Sequence, residues 1–475
     1  LEQISVFDIL KIGVGPSSSH TMGPWVAAGR FIQLLKESGV ISKVNKVEVD
    51  LFGSLALTGK GHGTDIALIL GLSGCDPKTI PIPKITSAIK TIEELGLLML
   101  GGAYQIKFIL GENIRFNYNQ SLDFHPNGLR FSAFDESGEI LCKETYFSVG
   151  GGFVVQENEV TSSNIEALPF PIESAKDLKK YCENEKKGIA AIVFKNELHW
   201  RKKDEVESGI LKIWDTMCEC VFRGCHTEGK LPGGLDVIRR ATSIHKKLIN
   251  REKEFGTKEE WIDYLKEKSF GFADTLKFVT CFALATNEEN ASFGRVVTAP
   301  TNGAAGVIPA VLLYFICLSG QKINNKGIIE FLCVASEIGC LFKKKSTIAA
   351  AMGGCQAEIG VSSSMAAAAL TSGMGGTVAQ SLMAAEIAME HHLGLTCDPV
   401  KGLVQIPCIE RNSMGAIKAI TASQIALESN PELAKVSLDN VIKTMWDTAC
   451  DMNLKYKETS LGGLAANISV SVSEC

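Results

Sequence analysis

Apolar and polar positions change rhythm about a third of the way along the chain. Residues 44–52 (VNKVEVDLF) alternate, as expected of a strand with one buried face. Residues 104–110 and 113–118 are expected to be further strands joined at Gly111. Residues 130–134 and 140–146 flank Asp135-Glu136-Ser137-Gly138, a hairpin turn. Helical spacing predicts helices over 25–36, 65–70 and 86–95. Gly150-Gly151-Gly152 and the polar, proline-containing run 156–173 then break the pattern. Beyond residue 175 the period is helical, over 212–222, 276–285, 308–318, 364–371, 378–391 and 414–427, and only 186–194 suggests a strand. The expected architecture is an α+β N-terminal domain over 1–155, a linker over 156–175 and a larger all-α catalytic domain over 176–475.

Composition narrows the classes. With 45% hydrophobic and 21% charged residues, the 475-residue chain is globular rather than disordered or fibrous. A net charge of −5 offers no basic surface for a nucleic-acid backbone. Two uncharged stretches, 296–321 and 359–385, are no membrane spans. The second is built of Ala, Gly, Ser, Thr and Met, and the apolar part of the first, 307–318, falls short of the ~20 residues a span needs. None of the 15 cysteines forms a C-x-x-C pair, which weakens a zinc ribbon or a thioredoxin-type site. The opening LEQISVFDILKIGVG is neither a basic-then-apolar leader nor an Arg-rich transit peptide, so free thiols in the cytoplasm are expected.

Nucleotide motifs fail: the Gly53–Gly61 run has one residue too many for a phosphate-cradling loop, and Gly59-Lys60-Gly61-His62-Gly63 lacks a third-glycine match. Two polar loops are more informative. Ser17-Ser18-Ser19-His20-Thr21 precedes Pro24, which suits the first turn of a helix, and its hydroxyls exceed what one helix cap requires. The His62 loop repeats this grammar, with glycines, one histidine and Thr64 at a helix start. A lone loop histidine is usually a surface residue; two such loops in one domain raise the weight of a binding or acid–base role. A third loop, Arg295 to Gly306, sets Thr301, Asn302 and Gly303 before an apolar helix, where hydroxyl and amide groups can hold a small polar molecule.

The cysteines divide by placement. Cys218, Cys220 and Cys225, with His226, fall in a helical stretch where residues two apart face different ways, so they read as core or surface thiols. Cys355 follows Gly353-Gly354, Cys397 precedes Asp398-Pro399, and Cys408 follows Pro407 and opens a helix. Beside such chain breakers, free N–H groups stabilise thiolates and bridging sulfides. Separations of 42 and 11 residues suit an iron–sulfur cluster with one open iron, or zinc with three cysteines and an external ligand. Spacing alone favours three buried, unligated thiols, because it matches no ferredoxin pattern.

Several runs together resemble the iron–sulfur L-serine dehydratases: SSSHTMGP at 17–24, EGKLPGG at 228–234 with Arg239-Arg240-Ala241, VTAPTNGAAG at 297–306, GCQAEIG at 354–360, and CDPV through IPCIERN over 397–412. They span nearly the whole chain in the family's order, and resemble the single-chain form that fuses its β and α parts. The resemblance implies a [4Fe–4S] cluster on Cys355, Cys397 and Cys408, no pyridoxal phosphate, and conversion of L-serine to pyruvate and ammonia by a homodimer. His20 and His62 become candidates for the base or for binding. Ser17, Ser18, Ser19, Thr21, Thr301, Asn302 and Gly303 are expected to hold the substrate. In the resembling family the last residue is a cysteine that reaches the cluster, and Cys475 is terminal here. It carries a thiolate and a carboxylate much as serine carries a hydroxyl and a carboxylate, so it is expected to cap the open iron until serine displaces it. The alternatives are a non-catalytic iron–sulfur sensor and a zinc or iron hydro-lyase acting on a hydroxy acid.

Overall fold

The computed structural model describes residues 2–157, 159, 167–249, 253–460 and 462–468. Nine strands are formed among them: β1 (Lys11–Val14), β2 (Lys46–Phe52), β3 (Leu97–Leu100), β4 (Tyr104–Lys107), β5 (Ile114–Asn117), β6 (Gly128–Phe134), β7 (Ile140–Ser148), β8 (Val154–Gln156) and β9 (Arg295–Thr298). Five make one sheet in the order β5-β2-β6-β7-β8, parallel only between β2 and β5. The alternation in β2 works as its residues dictate. Val47, Val49 and Leu51 turn inward against Phe31 and Leu35 of the helix Gly23–Glu37, while Glu48 and Asp50 on the other face pair with Arg115.

Beyond residue 175 the described chain is helical apart from β9, and its centre is the helix Ile359–Gly373, which is buried nearly end to end. Ala366 to Ala369 and three serines let neighbouring helices approach on every side. Ser362 Oγ donates to Ala299 O and Ser363 Oγ to Gly415 O, so two of the three buried hydroxyls are satisfied. Among the described residues, no helix is long and apolar enough to cross a membrane.

Local readings needed correction in three places. Residues 186–194 are not a strand but the start of the helix Ile189–Glu197, with Ile189, Ile192 and Val193 buried at helical spacing; so short an apolar run fits either period. Residues 104–110 end as a strand at Lys107, and Gly111 lies inside the helical turn Leu110–Asn113 rather than in a hairpin. Asn113 fixes that turn, accepting from Ile109 N at 2.8 Å and donating to Val47 O at 2.7 Å, and thereby sends β5 alongside β2. Finally, β9 is a strand inside the helical half.

The partner of β9 is β1, antiparallel, with Lys11 opposite Thr298 and Val14 opposite Arg295. The first residues of the chain are therefore built into the helical half. Ser5 caps the helix Val6–Ile9, its hydroxyl and Val6 N both donate to the Glu197 carboxylate at 2.8 Å, and Ile4, Val6, Ile9 and Leu10 join the helical core. The chain then leaves through β1 to build the sheet domain.

Candidate active site

Because β1 and β9 run antiparallel, the loops that follow them leave from opposite ends of the pair, and the second folds back onto the first. Asn302 splices them: its amide donates to Val14 O at 2.9 Å and its carbonyl accepts from Thr298 Oγ1 at 2.7 Å. Asn290 adds a bond to Pro16 O at 2.7 Å, and Gly15 is pressed so close to the Asn290 carbonyl that no side chain fits there. Asn302 thus serves the loop junction. Thr301 and Gly303 face a different space. A Cβ on Gly303 would lie 2.9 Å from a Glu358 carboxylate oxygen, and the buried Thr301 Oγ1 lies beside the same carboxylate.

The serine loop and the His62 loop are braided. Ser17 Oγ accepts from His20 N at 3.1 Å, and Thr21 Oγ1 accepts from Ser17 N at 3.1 Å. Thr21 Oγ1 in turn donates to His62 O at 2.7 Å, and Thr64 Oγ1 donates to His20 O at 2.5 Å. These hydroxyls hold two histidine rings 4.6 Å apart, both buried. Ser18 is buried in the same turn.

The two rings are engaged differently. His20 Nδ1 lies 2.8 Å from Ser19 Oγ and 3.2 Å from Glu458 Oε1, and its Nε2 lies 3.0 Å from Thr58 Oγ1 and 3.2 Å from Ser54 Oγ. His62 Nδ1 donates to Thr58 O at 2.9 Å, which leaves the lone pair on Nε2. Burial, followed by the neighbouring His20, pushes the His62 pKa down to about 4, so the ring is neutral at neutral pH. His125, buried nearby, is also pushed down to about 4 by desolvation.

The cysteines gather on the far side of Glu358. Cys355 sits in the short turn Gly354–Ala357, which Gln356 N ties to Leu395 O at 3.1 Å, and Cys397 N donates to Tyr456 O at 2.8 Å. Cys355 Sγ, Cys397 Sγ and a Glu358 oxygen lie within 4.8 Å of one another, the only such group of potential metal ligands among the described residues. Cys408 is the first residue of the helix Cys408–Leu427; burial and then the nearby Cys355 raise its pKa well above the usual value. Arg411, at the next turn of that helix, donates to Cys355 Sγ at 3.3 Å, Thr396 O at 2.6 Å and Asp398 Oδ1 at 2.9 Å. A hydrogen bond from Cys397, with Arg411 beside it, holds the Cys355 pKa below the ordinary thiol value. Ala304, Ala350, Ile359 and Leu395 close an apolar wall around these sulfurs. Cys475 lies outside the described residues. Cys218, Cys220 and Cys225 are buried core thiols; Cys225 Sγ lies 3.8 Å from Cys281 Sγ.

Glu458 joins the two halves of the site. Its side chain contacts Ser19 and His20, and the backbone on either side of it is bonded to Cys397, whose N–H donates to Tyr456 O at 2.8 Å and whose carbonyl accepts from Thr459 N at 3.4 Å. Sequence reasoning assigned no role to Glu458, Glu358, Arg411 or His125. Only Arg411 carried a usable signal, its spacing of one helical turn from Cys408.

A buried cysteine pocket beside a paired-histidine pocket, closed between an α+β and an all-α unit, is the build of an enzyme active site. The chain belongs to the serine dehydratase family. Residues 5–159 match the serine dehydratase beta chain and residues 184–465 the alpha chain. It is 45% identical to the L-serine dehydratase of Streptomyces coelicolor over 469 residues, covering 98% of this chain and 99% of that one. The identity to L-serine dehydratase 2 of Escherichia coli is 45% over 469 residues, again 98% and 99%. To the L-serine dehydratase of Helicobacter pylori it is 44% over 473 residues, 98% and 100%.

Proposed function

We propose that this protein eliminates water from L-serine to give pyruvate and ammonia, with a [4Fe–4S] cluster held by Cys355, Cys397 and Cys408. The observation that carries the reading is the segment Tyr456–Thr459, whose backbone is bonded to Cys397 while its Glu458 side chain is bonded to Ser19 and paired with His20. The donor set fits such a cluster: three buried thiols, an apolar wall, and Arg411 donating to one sulfur. When bound, a cluster with an open iron supplies a Lewis acid for the substrate hydroxyl, a poor leaving group by itself.

The remaining work falls to the chain. His62 is the base for the Cα proton, because its Nε2 lone pair is free of the Thr58 bond and the ring stays neutral. His20, held at both nitrogens, orients the site. Thr301 Oγ1 and the serine-loop hydroxyls offer hydrogen bonds to the substrate's polar groups. The 2-aminoacrylate released tautomerises to an imine, which water hydrolyses. The same reading makes the enzyme a cytoplasmic homodimer, and light scattering checks the dimer.

One observation favours a second reading. Two thiols and the Glu358 carboxylate in close reach also suit a single zinc ion, and with it a hydro-lyase. Anaerobic purification with iron, sulfide and zinc quantification, beside a serine assay, decides between them. The cluster reading expects brown protein whose pyruvate formation scales with iron, decays in air and returns with ferrous iron and a thiol. Colourless, iron-free protein of full activity ends it.

A further inference from the structure

We propose that Glu458 binds the substrate's α-ammonium group, and is thereby the residue that makes the site choose an amino acid over a hydroxy acid. The inference rests on the serine reading above and adds the specificity that reading leaves open.

The carboxylate is half used. Oε1 accepts from Ser19 Oγ at 3.1 Å and lies 3.2 Å from His20 Nδ1. Among the described residues Oε2 is buried with no hydrogen-bond partner, and the whole residue is only 5% exposed. An ionised carboxylate offers about four lone-pair positions and no donor, so a buried bare oxygen calls for a donor from elsewhere. The backbone shows that this placement is enforced: Glu458 stands at φ 50°, where side chains other than glycine are uncommon, and Ser54 Oγ donates to its carbonyl at 3.3 Å.

Among the described residues no cationic side chain bonds to that oxygen, since His20 is paired with Oε1. Arg411 is committed to Asp398, Thr396 and Cys355. The neighbouring rings of His62 and His125 are neutral at neutral pH, since burial pushes each down to about 4. Burial opposes ionisation of Glu458 itself, yet His20 and the hydrogen bonds from His20 and Ser19 outweigh it and hold the carboxyl below its ordinary pKa. What remains is a buried negative oxygen between the histidine loops and the cysteine pocket. A primary ammonium, with three donors and a full charge, completes it. A hydroxyl in the same place brings one donor and no charge.

A merely structural Glu458, one that only orients His20, would affect all ligands alike. The test therefore compares L-serine with L-glycerate, which has a hydroxyl in place of the ammonium. Both are measured on the iron-loaded enzyme, as the KM for serine and the competitive inhibition constant of glycerate. In the wild type, glycerate is expected to bind at least ~10-fold more weakly than serine. In Glu458→Gln, the serine KM should rise ~10-fold or more while the glycerate constant stays within about 3-fold. Equal binding of the two ligands by the wild type overturns the proposal whether or not the variant folds. So does an equal loss for both ligands in the variant, or no change in either. If the wild type makes no pyruvate from serine, it is the serine reading that fails.

Discussion

His20 and His62 stand 4.6 Å apart in equal burial, yet their hydrogen bonds assign them different work. His62 has one nitrogen fixed by Thr58 O and the other free to accept a proton; His20 has both nitrogens engaged. Replacing His62 by Asn should lower kcat by ~10²- to 10⁴-fold, the range for loss of a general base, with a much smaller change in KM. The pH profile follows from the shift. A ring depressed from 6.5 to about 4 remains a base throughout the interval between those values, so the acid limb of kcat/KM should lie well below pH 6.5. A limb at 6.5 or higher would assign the base to another group. The stability sign agrees. Neutral His62 contributes fully above pH 6.5, and that contribution is lost as pH falls toward 4, because the unfolded chain then binds the proton first. The histidines and the cysteines were readable as residue types beside glycine and proline. Glu458 was not, because its meaning depends on Ser19, 439 positions away, and on a left-handed backbone that no local pattern announces.

At the scale of elements, the site depends on how closely loops from different halves approach. A Cβ on Gly61 would lie 2.9 Å from Gly402 O and 3.0 Å from Lys401 O, backbone atoms of the loop between Cys397 and Cys408. Gly61→Ala should push the histidine loop away from the cysteine loop. Misplacement of about 1 Å can cost ~100-fold in rate, so kcat should fall by tens to hundreds of times while the thermal midpoint moves by only a few degrees. Circular dichroism melting beside a serine assay separates the two; unchanged kcat would show that the loops have slack. Long periodic elements such as β2 and the helix Cys408–Leu427 were legible because their buried positions repeat. The short ones were not. Ile189–Glu197 and β9 are apolar runs of a length that helix, strand and loop share, and β9 becomes a strand only because β1 lies against it. That pairing, between residues nearly 300 positions apart, is also why the reading of Arg295 to Gly306 as a loop missed its first part, the strand Arg295–Thr298.

For the whole molecule, the decisive feature is that the first residues of the chain belong to the helical half. Ile4, Val6, Ile9 and Leu10 are buried in its core, Glu197 accepts Ser5 Oγ and Val6 N, and β1 completes β9. Burying an aliphatic side chain contributes roughly 1.5–3 kcal/mol, so these four together rival the ~5–15 kcal/mol net stability of an ordinary domain. Glu197 would in addition lose the two donors from Ser5 and Val6 and keep only Arg201. A fragment of residues 176–475 should therefore fail to fold by itself, although it contains nearly all of the helices of the helical half. Co-expressed with residues 1–157, it should be rescued into a stable complex, since β1 and the helix Val6–Ile9 need no covalent link through 158–175 to reach their partners. Affinity purification through a tag on the smaller fragment, followed by a melting curve, gives the outcome. Recovery of both fragments with one cooperative transition is expected. A 176–475 fragment that is soluble, monomeric and cooperatively folded alone would show that the N-terminal segment is an accessory strap and would restore the simple division at the linker.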